Sequence, residues 1–340
     1  MRTRTVEAAL RAPRRAAVGW GRAALIAATA GLLPACSDTS GSSTPPDGGV
    51  AADGAIEGVS LVQLSVGAMV FDARVAGPAD GETVFLLHGF PETSYEWRAE
   101  LVALARAGYR VVAPDQRGYS PGARPTDVDQ YGVIQLVGDL LGIADAVGAQ
   151  RFHVVGHDWG AGVGWGASIV SPSRVISFTS ISVPHPDAWK RALADPSSCQ
   201  YQASSYFDLF VTPQAVSHFL DNGNANLWGN YPGVPASDVA VYVQALGTVP
   251  AMTAALNWYR ANIANRQFTI PDIGLVSVPT QLIWGEQDPV FCAGPIEATA
   301  GLISGTYRLE VLQGNHWLPE EASDQVNALI LQQLRAHPGQ

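Results

Sequence analysis

Three side chains, Asp158, Asp288 and His316, have the types and contexts to hydrolyse a substrate through an ester on the protein. Asp158 stands in Gly156-His157-Asp158-Trp159-Gly160, after the apolar, β-branched run Phe152 to Val155 and before a stretch of small residues. A strand that turns sharply into a helix between glycines holds one side chain clear at the top of a sheet, the arrangement of a nucleophile elbow. Serine, the usual occupant, suits attack on an acyl carbonyl. A carboxylate suits displacement at a saturated carbon, which leaves an ester to be hydrolysed. His316, in Gly314-Asn315-His316-Trp317, would deprotonate the water for that second step. Asp288, in Trp284-Gly285-Glu286-Gln287-Asp288, would fix the imidazole tautomer and stabilise its cation. Asp187 is an alternative for the acid, because it follows the strand after the elbow. An aspartate at a βα turn can also simply cap the helix. The order nucleophile, acid, histidine, each beyond an apolar run, favours the catalytic reading.

These residues need a frame, and the hydrophobic pattern predicts one. Leu61 to Val75 alternates apolar and polar around Gly67 and reads as an edge hairpin. Strands are expected at Thr83 to Leu87, Tyr109 to Pro114, Phe152 to Val155, Arg174 to Val183, Thr280 to Trp284 and Thr306 to Leu312. Helical spacing marks Glu96 to Ala107, Gln130 to Val147 and a closing helix, Ala322 to Ala336. Alternation of this kind predicts a mostly parallel, eight-stranded α/β sheet with helices on both faces. Its ligand site would lie beyond the carboxyl ends of the strands, where His88, Asp115 and Asp158 fall. The alternation stops at Pro184-His185-Pro186. Residues 187–274 lack β-branched runs and carry many aromatics, so a mostly helical cap is expected over the strand ends. The core would then comprise residues 56–186 and 275–340.

The 340 residues are 47% hydrophobic and 15% charged, which indicates a folded domain with a sizeable core. Six arginines precede residue 23, opposed only by Glu7, so the remainder carries 14 basic against 29 acidic residues, a net of −15. Such an acidic body argues against nucleic acid and strongly anionic substrates. The basic start leads into the apolar run Ala23 to Leu33 and then Pro34-Ala35-Cys36, the layout of a signal peptide over residues 1–36. Its end resembles the lipobox of bacterial lipoproteins, in which Cys36 would be lipidated; a plain secretory signal is the alternative. Residues 37–55, rich in Ser, Gly and Pro, would be a flexible tether. The chain is therefore expected to be exported, either anchored to a bacterial membrane by lipid or periplasmic or extracellular. Cys199 and Cys292 remain, able to pair in an oxidising compartment or to stay as buried thiols. No histidine shows ligand spacing with cysteines or carboxylates, and no phosphate-binding or dinucleotide fingerprint is present, so neither a metal nor another cofactor is expected.

Over roughly residues 60–335 the sequence resembles the α/β-hydrolases of the epoxide hydrolase and haloalkane dehalogenase group, and epoxide hydrolases most closely. His88-Gly89-Phe90-Pro91 is similar to that group's HGxP motif, which implies that the Phe90 backbone N–H, together with that of Trp159, forms an oxyanion hole. Leu256-Asn257-Trp258-Tyr259-Arg260 resembles the stretch that carries one of two cap tyrosines donating hydrogen bonds to an epoxide oxygen, which implies Tyr259. Tyr206, followed by Phe210 and Pro213, fits the other, with Tyr201 as competitor. The resemblance implies a pocket lined by His88, Pro91, Trp159, Tyr201 and Trp258, and a small apolar epoxide and water as reactants. A haloalkane dehalogenase with the same nucleophile is the second reading, although Phe90 stands where many such enzymes place Asn. Trp159 also occupies the place of the Arg of fluoroacetate-type dehalogenases, which disfavours carboxylate-bearing substrates. A non-catalytic binding protein that retains the pocket is the third.

Overall fold

The apolar runs pair into one eight-stranded sheet in a computed structural model that describes residues 54–231 and 233–339. The expected signal peptide, Cys36 and residues 37–53 of the expected tether lie outside the described residues. Strands β1 (Val59–Val66) and β2 (Met69–Ala76) form an antiparallel hairpin, with Gly67 at φ +59 in its turn. There follow β3 (Thr83–Leu87), α1 (Arg98–Arg106), β4 (Arg110–Pro114), α2 (Val133–Ala146), β5 (Phe152–His157), α3 (Trp159–Val170) and β6 (Val175–Ile181). Strand order is β1-β2-β4-β3-β5-β6, continued by two strands from the end of the chain. Within this sheet of the described residues the β1–β2 and β2–β4 pairs are antiparallel and the other pairs parallel.

Side chains along each central strand alternate between two cores, as the twofold strand period requires. Val84 and Leu86 of β3 pack with Trp97, Leu101, Leu104 and Leu334, whereas Phe85 and Leu87 pack with Phe152, Phe178 and Trp165. Both faces are covered, so β3, β5 and β6 are buried throughout and read as continuous apolar runs rather than alternating ones.

After β6 the chain leaves the sheet for the cap: α4 (Pro186–Leu193), α5 (Cys199–Ala203), α6 (Phe207–Phe210), α7 (Gln214–Trp228), α8 (Ala236–Leu246) and α9 (Val249–Asn262). A small hairpin, β7 (Ile263–Ala264) with β8 (Gln267–Phe268), follows; such two-residue strands leave no periodic signal in the sequence. Helix α7 is interrupted at residues 221–224, where Asn222, Gly223 and Asn224 are left-handed. The Asp187 carboxylate accepts hydrogen bonds from the Ile273 and Gly274 backbones, both at 2.9 Å. It therefore ties the start of the cap to its end and does not reach the histidine. A disulfide joins Cys199 to Cys292 with Cα atoms 6.3 Å apart, so these cysteines are not free thiols. The sheet resumes with β9 (Thr280–Gly285), and α10 (Ala293–Ala298) leads to the edge strand β10 (Tyr307–Leu312). Helices α11 (Leu318–Glu321) and α12 (Ser323–Ala336) close the fold, α12 against α1.

The turn after β5 leaves no room for side chains on its glycines. A Cβ on Gly160 would stand 2.0 Å from the Leu87 carbonyl oxygen, and one on Gly89 would stand 2.4 Å from the Asp158 Cβ. Both obstacles are fixed by the sheet. Gly160→Ala is expected to force β3 and α3 apart and to lower stability by about 1–3 kcal/mol. Urea unfolding of the two proteins would measure it, and equal midpoints would contradict the packing described.

Candidate active site

Asp158 is held in an unusual backbone conformation, φ 47° and ψ −121°, between the end of β5 and the first turn of α3. Left-handed backbone is costly for any residue with a Cβ and persists only where its surroundings enforce it. Here the flanking glycines allow the close approach, and the result is a carboxylate lifted beyond the sheet. The helix that begins at Trp159 directs its unpaired N–H groups and partial positive charge toward it. The Phe90 backbone N–H donates to Asp158 Oδ1 at 2.9 Å, and the Phe90–Pro91 peptide bond is cis.

His316 follows β10 and Asp288 follows β9, adjacent parallel strands, so both reach the same end of the sheet. His316 Nδ1 lies 2.9 Å from Asp288 Oδ2, and its Nε2 lies 3.6 Å from Asp158 Oδ2. The other oxygen of Asp288 accepts from the backbones of Val290 (2.6 Å) and Phe291 (2.9 Å), which aims the carboxylate. Burial disfavours charge on both His316 and Asp158, but their partners prevail. Asp288 and Asp158 hold the imidazole up to about 9, and His316 holds the Asp158 carboxyl below its usual range. At neutral pH the resting site is thus a carboxylate beside an imidazolium.

Two phenols complete the site. Tyr206 and Tyr259 line the cavities on both sides of Asp158. Tyr259 is wedged edge-to-face among Phe90, Trp159 and Phe210, with ring centres 5.0–5.3 Å apart. Burial and the Asp158 charge raise both phenols well above their ordinary range, so they remain hydrogen-bond donors at neutral pH. One cavity is walled by Val133, Trp159, Val183, Trp189, Phe207 and Phe268; the other by Phe90, Phe210, Val290, His316 and Trp317. Among the described residues that line the first, Asp158 is the one charged side chain, which suits a neutral apolar ligand.

Of the pocket residues expected from sequence, Trp159 lines the cavity and four do not. His88 is buried beneath the loops, where its Nε2 accepts from the Gln116 backbone at 3.1 Å. Pro91 lies outside both cavity walls, and its carbonyl accepts from the Tyr231 hydroxyl. Trp258 turns inward, donating to the Arg117 carbonyl at 2.7 Å and packing its ring against Trp159. Tyr201 faces Arg266 on the outside of the cap, with the guanidinium 4.7 Å from its ring centre. Neighbours of a motif in sequence thus serve as its supports, because alternate residues of a loop must satisfy buried backbone groups.

Sequence reasoning missed the layer beneath His316. Its carbonyl accepts from His157 Nε2 (2.9 Å) and from Ser182 Oγ (2.8 Å), the latter on a left-handed residue at the end of β6. His157 Nδ1 faces Glu96 at 2.6 Å and Glu92 at 3.3 Å, all three buried. Against its burial, Glu96 and Glu92 keep His157 well above its usual range, while burial and Glu92 raise Glu96 to about 8. These three groups are the ligand-type cluster found among the described residues, but a hydrogen-bond distance between imidazole and carboxylate leaves no space for an ion. The only sequence signal was the proximity of Glu92 to the His88–Pro91 turn; Ser182 left none.

The chain matches the family model described as alpha/beta hydrolase fold over residues 82–323. It is 33% identical over 299 residues to epoxide hydrolase A of Mycobacterium tuberculosis, across 76% of this chain and 92% of that protein. It is 32% identical to the AB hydrolase superfamily protein YfhM of Bacillus subtilis, across 82% and 99%. Among solved structures, an epoxide hydrolase of Bacillus megaterium in complex with an inhibitor superposes with a TM-score of 0.74 at 26% identity, covering 81% of this chain and 100% of that one.

The paired charges predict a measurable titration. His316 should lose its proton near pH 9, and Asp158→Asn should lower that value by removing one of the two carboxylates that hold it. NMR of the imidazole ring would follow both. Because the folded value lies above the ordinary 6.5, the stabilisation that His316 draws from its carboxylates is lost as pH rises from about 6.5 through about 9, whereas the share of Asp158, whose carboxyl is held low, is lost on acidification.

Proposed function

The chain belongs to the α/β-hydrolase fold family, and from that premise we propose that it is an epoxide hydrolase, converting small apolar epoxides to vicinal diols without a cofactor. The observation that carries the reading is the placement of Tyr206 and Tyr259 on the same cavities as Asp158. An epoxide oxygen develops negative charge as the ring opens and needs acidic donors there. A halide leaving group does not call for two phenols, so the dehalogenase reading has less support. The similarity to epoxide hydrolases from Mycobacterium tuberculosis and Bacillus megaterium points the same way.

In the proposed cycle Asp158 attacks a ring carbon and the C–O bond breaks. The alkoxide takes a proton from the phenol pair, leaving an ester on Asp158. Esterification removes the charge that helped to hold His316 protonated, so the imidazolium gives its proton back to the tyrosinate and the neutral imidazole becomes available as a base. It takes a proton from water, and the resulting hydroxide attacks the ester carbonyl. The Phe90 and Trp159 N–H groups stabilise the oxyanion; its collapse breaks the ester C–O bond, and the departing alkoxide takes the carboxyl proton, which releases the diol and restores the Asp158 carboxylate. Export with a lipid on Cys36 is part of the same proposal, supported by the basic and apolar start of the chain.

Three outcomes test this reading. The purified enzyme should form diol from at least one member of a panel of aryl and aliphatic epoxides and release no halide from matched haloalkanes; a panel without diol would overturn it. His316→Gln should load substrate onto Asp158 and slow turnover by about 10²–10⁴-fold, the usual worth of a general base. Mass spectrometry should then find one substrate mass on the peptide containing Asp158. Cells expressing the full chain should incorporate labelled palmitate into it, and Cys36→Ser should abolish that label.

A further inference from the structure

The disulfide joins two segments that carry different parts of the site. Cys199 begins α5, seven residues before Tyr206, and Cys292 lies four residues beyond Asp288. The loop that holds Asp288 is braced from within. Val290 and Phe291 donate to Asp288 itself, and Trp284 Nε1 donates to the Phe291 carbonyl at 3.2 Å. The cap segment packs its Phe210 ring on Phe90, 5.5 Å away, and its Tyr206 ring on Tyr259, 6.2 Å away, contacts that leave the segment's height above the loop to other bonds. Among the described residues, its bonded hold on the loop consists of the disulfide and the buried Gln200 side chain, which donates to the Val290 carbonyl at 2.9 Å and accepts from the Cys292 backbone at 3.1 Å. From Cys199 to Phe210 the chain is a continuous series of short helical turns, so a shift at Cys199 is passed on to Tyr206.

We infer that the Cys199–Cys292 bond is a positioning tie that sets the Tyr206 phenol against Asp158, and that its reduction slows ring opening while sparing hydrolysis of the ester. The inference rests on the epoxide hydrolase reading. Cys199 is exposed and Cys292 half-buried, so a small dithiol reaches the bond. One thiolate of the dithiol attacks a sulfur and the S–S bond breaks. The second thiolate then closes the reagent into a cyclic disulfide, leaving the dithiol oxidised and both cysteines as thiols. Asp288, His316 and the Phe291 ring stacked on His316 keep their own supports through this change.

The test is single-turnover kinetics on an aryl epoxide that the oxidised enzyme converts to diol. Enzyme reduced with dithiothreitol is desalted without air, and ester formation and decay are followed separately. Formation should slow about tenfold, the loss of one hydrogen bond to a developing charge, with decay unchanged. Reoxidation should restore the rate, and Cys199→Ser with Cys292→Ser should reproduce the reduced enzyme. In Tyr206→Phe, reduction should cause no further slowing. A brace that serves stability alone would lower the melting temperature and leave both rates as they were. Equal rates before and after reduction, equal slowing of both steps, or further slowing in Tyr206→Phe would each overturn the tie. Absence of diol from the oxidised enzyme would overturn the reaction assignment, and the tie with it.

Discussion

Everything at the strand ends depends on how closely three stretches of backbone approach one another at the elbow. Gly160 lies against the Leu87 carbonyl, Gly156 against Gly160, and Gly89 against the Asp158 side chain. Only with these contacts can β5 turn into α3 within one residue. That turn places Asp158 in left-handed backbone and brings the Phe90 N–H within hydrogen-bond reach of its carboxylate. A methyl group at any of the three glycines would separate the nucleophile from the donors that serve it.

The second constraint is electrostatic. An apolar cavity is a poor place for a charge, and each ion there must be paired or it neutralises. Asp158 remains ionised because His316 stands 3.6 Å away and Phe90 donates to it. His316 in turn is held by Asp288, and Asp288 by two backbone N–H groups. The chain of support continues beneath, where His157 and Ser182 grip the His316 carbonyl and Glu92 and Glu96 face His157. Each partner fixes both a charge and a position, so the base is aimed from its ring and from its backbone at once.

The cap has the opposite physical character. It is built mostly of helices, it contributes two phenols and an aromatic wall, and side chains from several of its elements fasten it to the core. Asp187 closes its two ends together, Tyr231 reaches the Pro91 carbonyl, and Gln200 with the disulfide grips the loop beyond Asp288. Arg98 links the cap's Asp238 to Glu320, four residues past His316. A lid attached in this way can shape the cavity for a substrate while the rigid sheet holds the reacting groups.

Much of the frame was legible in the sequence, because strand and helix periods and turn residues are local properties. Buried parallel strands announce themselves as continuous apolar runs, so β3, β5, β6 and β9 could be read directly, as could Asp158 after β5, Asp288 after β9 and His316 after β10. The chemical type of the nucleophile was likewise written in one residue. Which neighbours face the cavity was not legible. His88, Pro91, Trp258 and Tyr201 sit beside or within recognisable motifs, yet they satisfy backbone groups or face outward. Nor could sequence reveal Ser182, or that Glu92 and Glu96 converge on His157, since those contacts join residues far apart in the chain. Local pattern thus determined the scaffold and the reacting groups. Only the tertiary structure decided what surrounds them, because the direction of a loop side chain is set by the packing of distant segments.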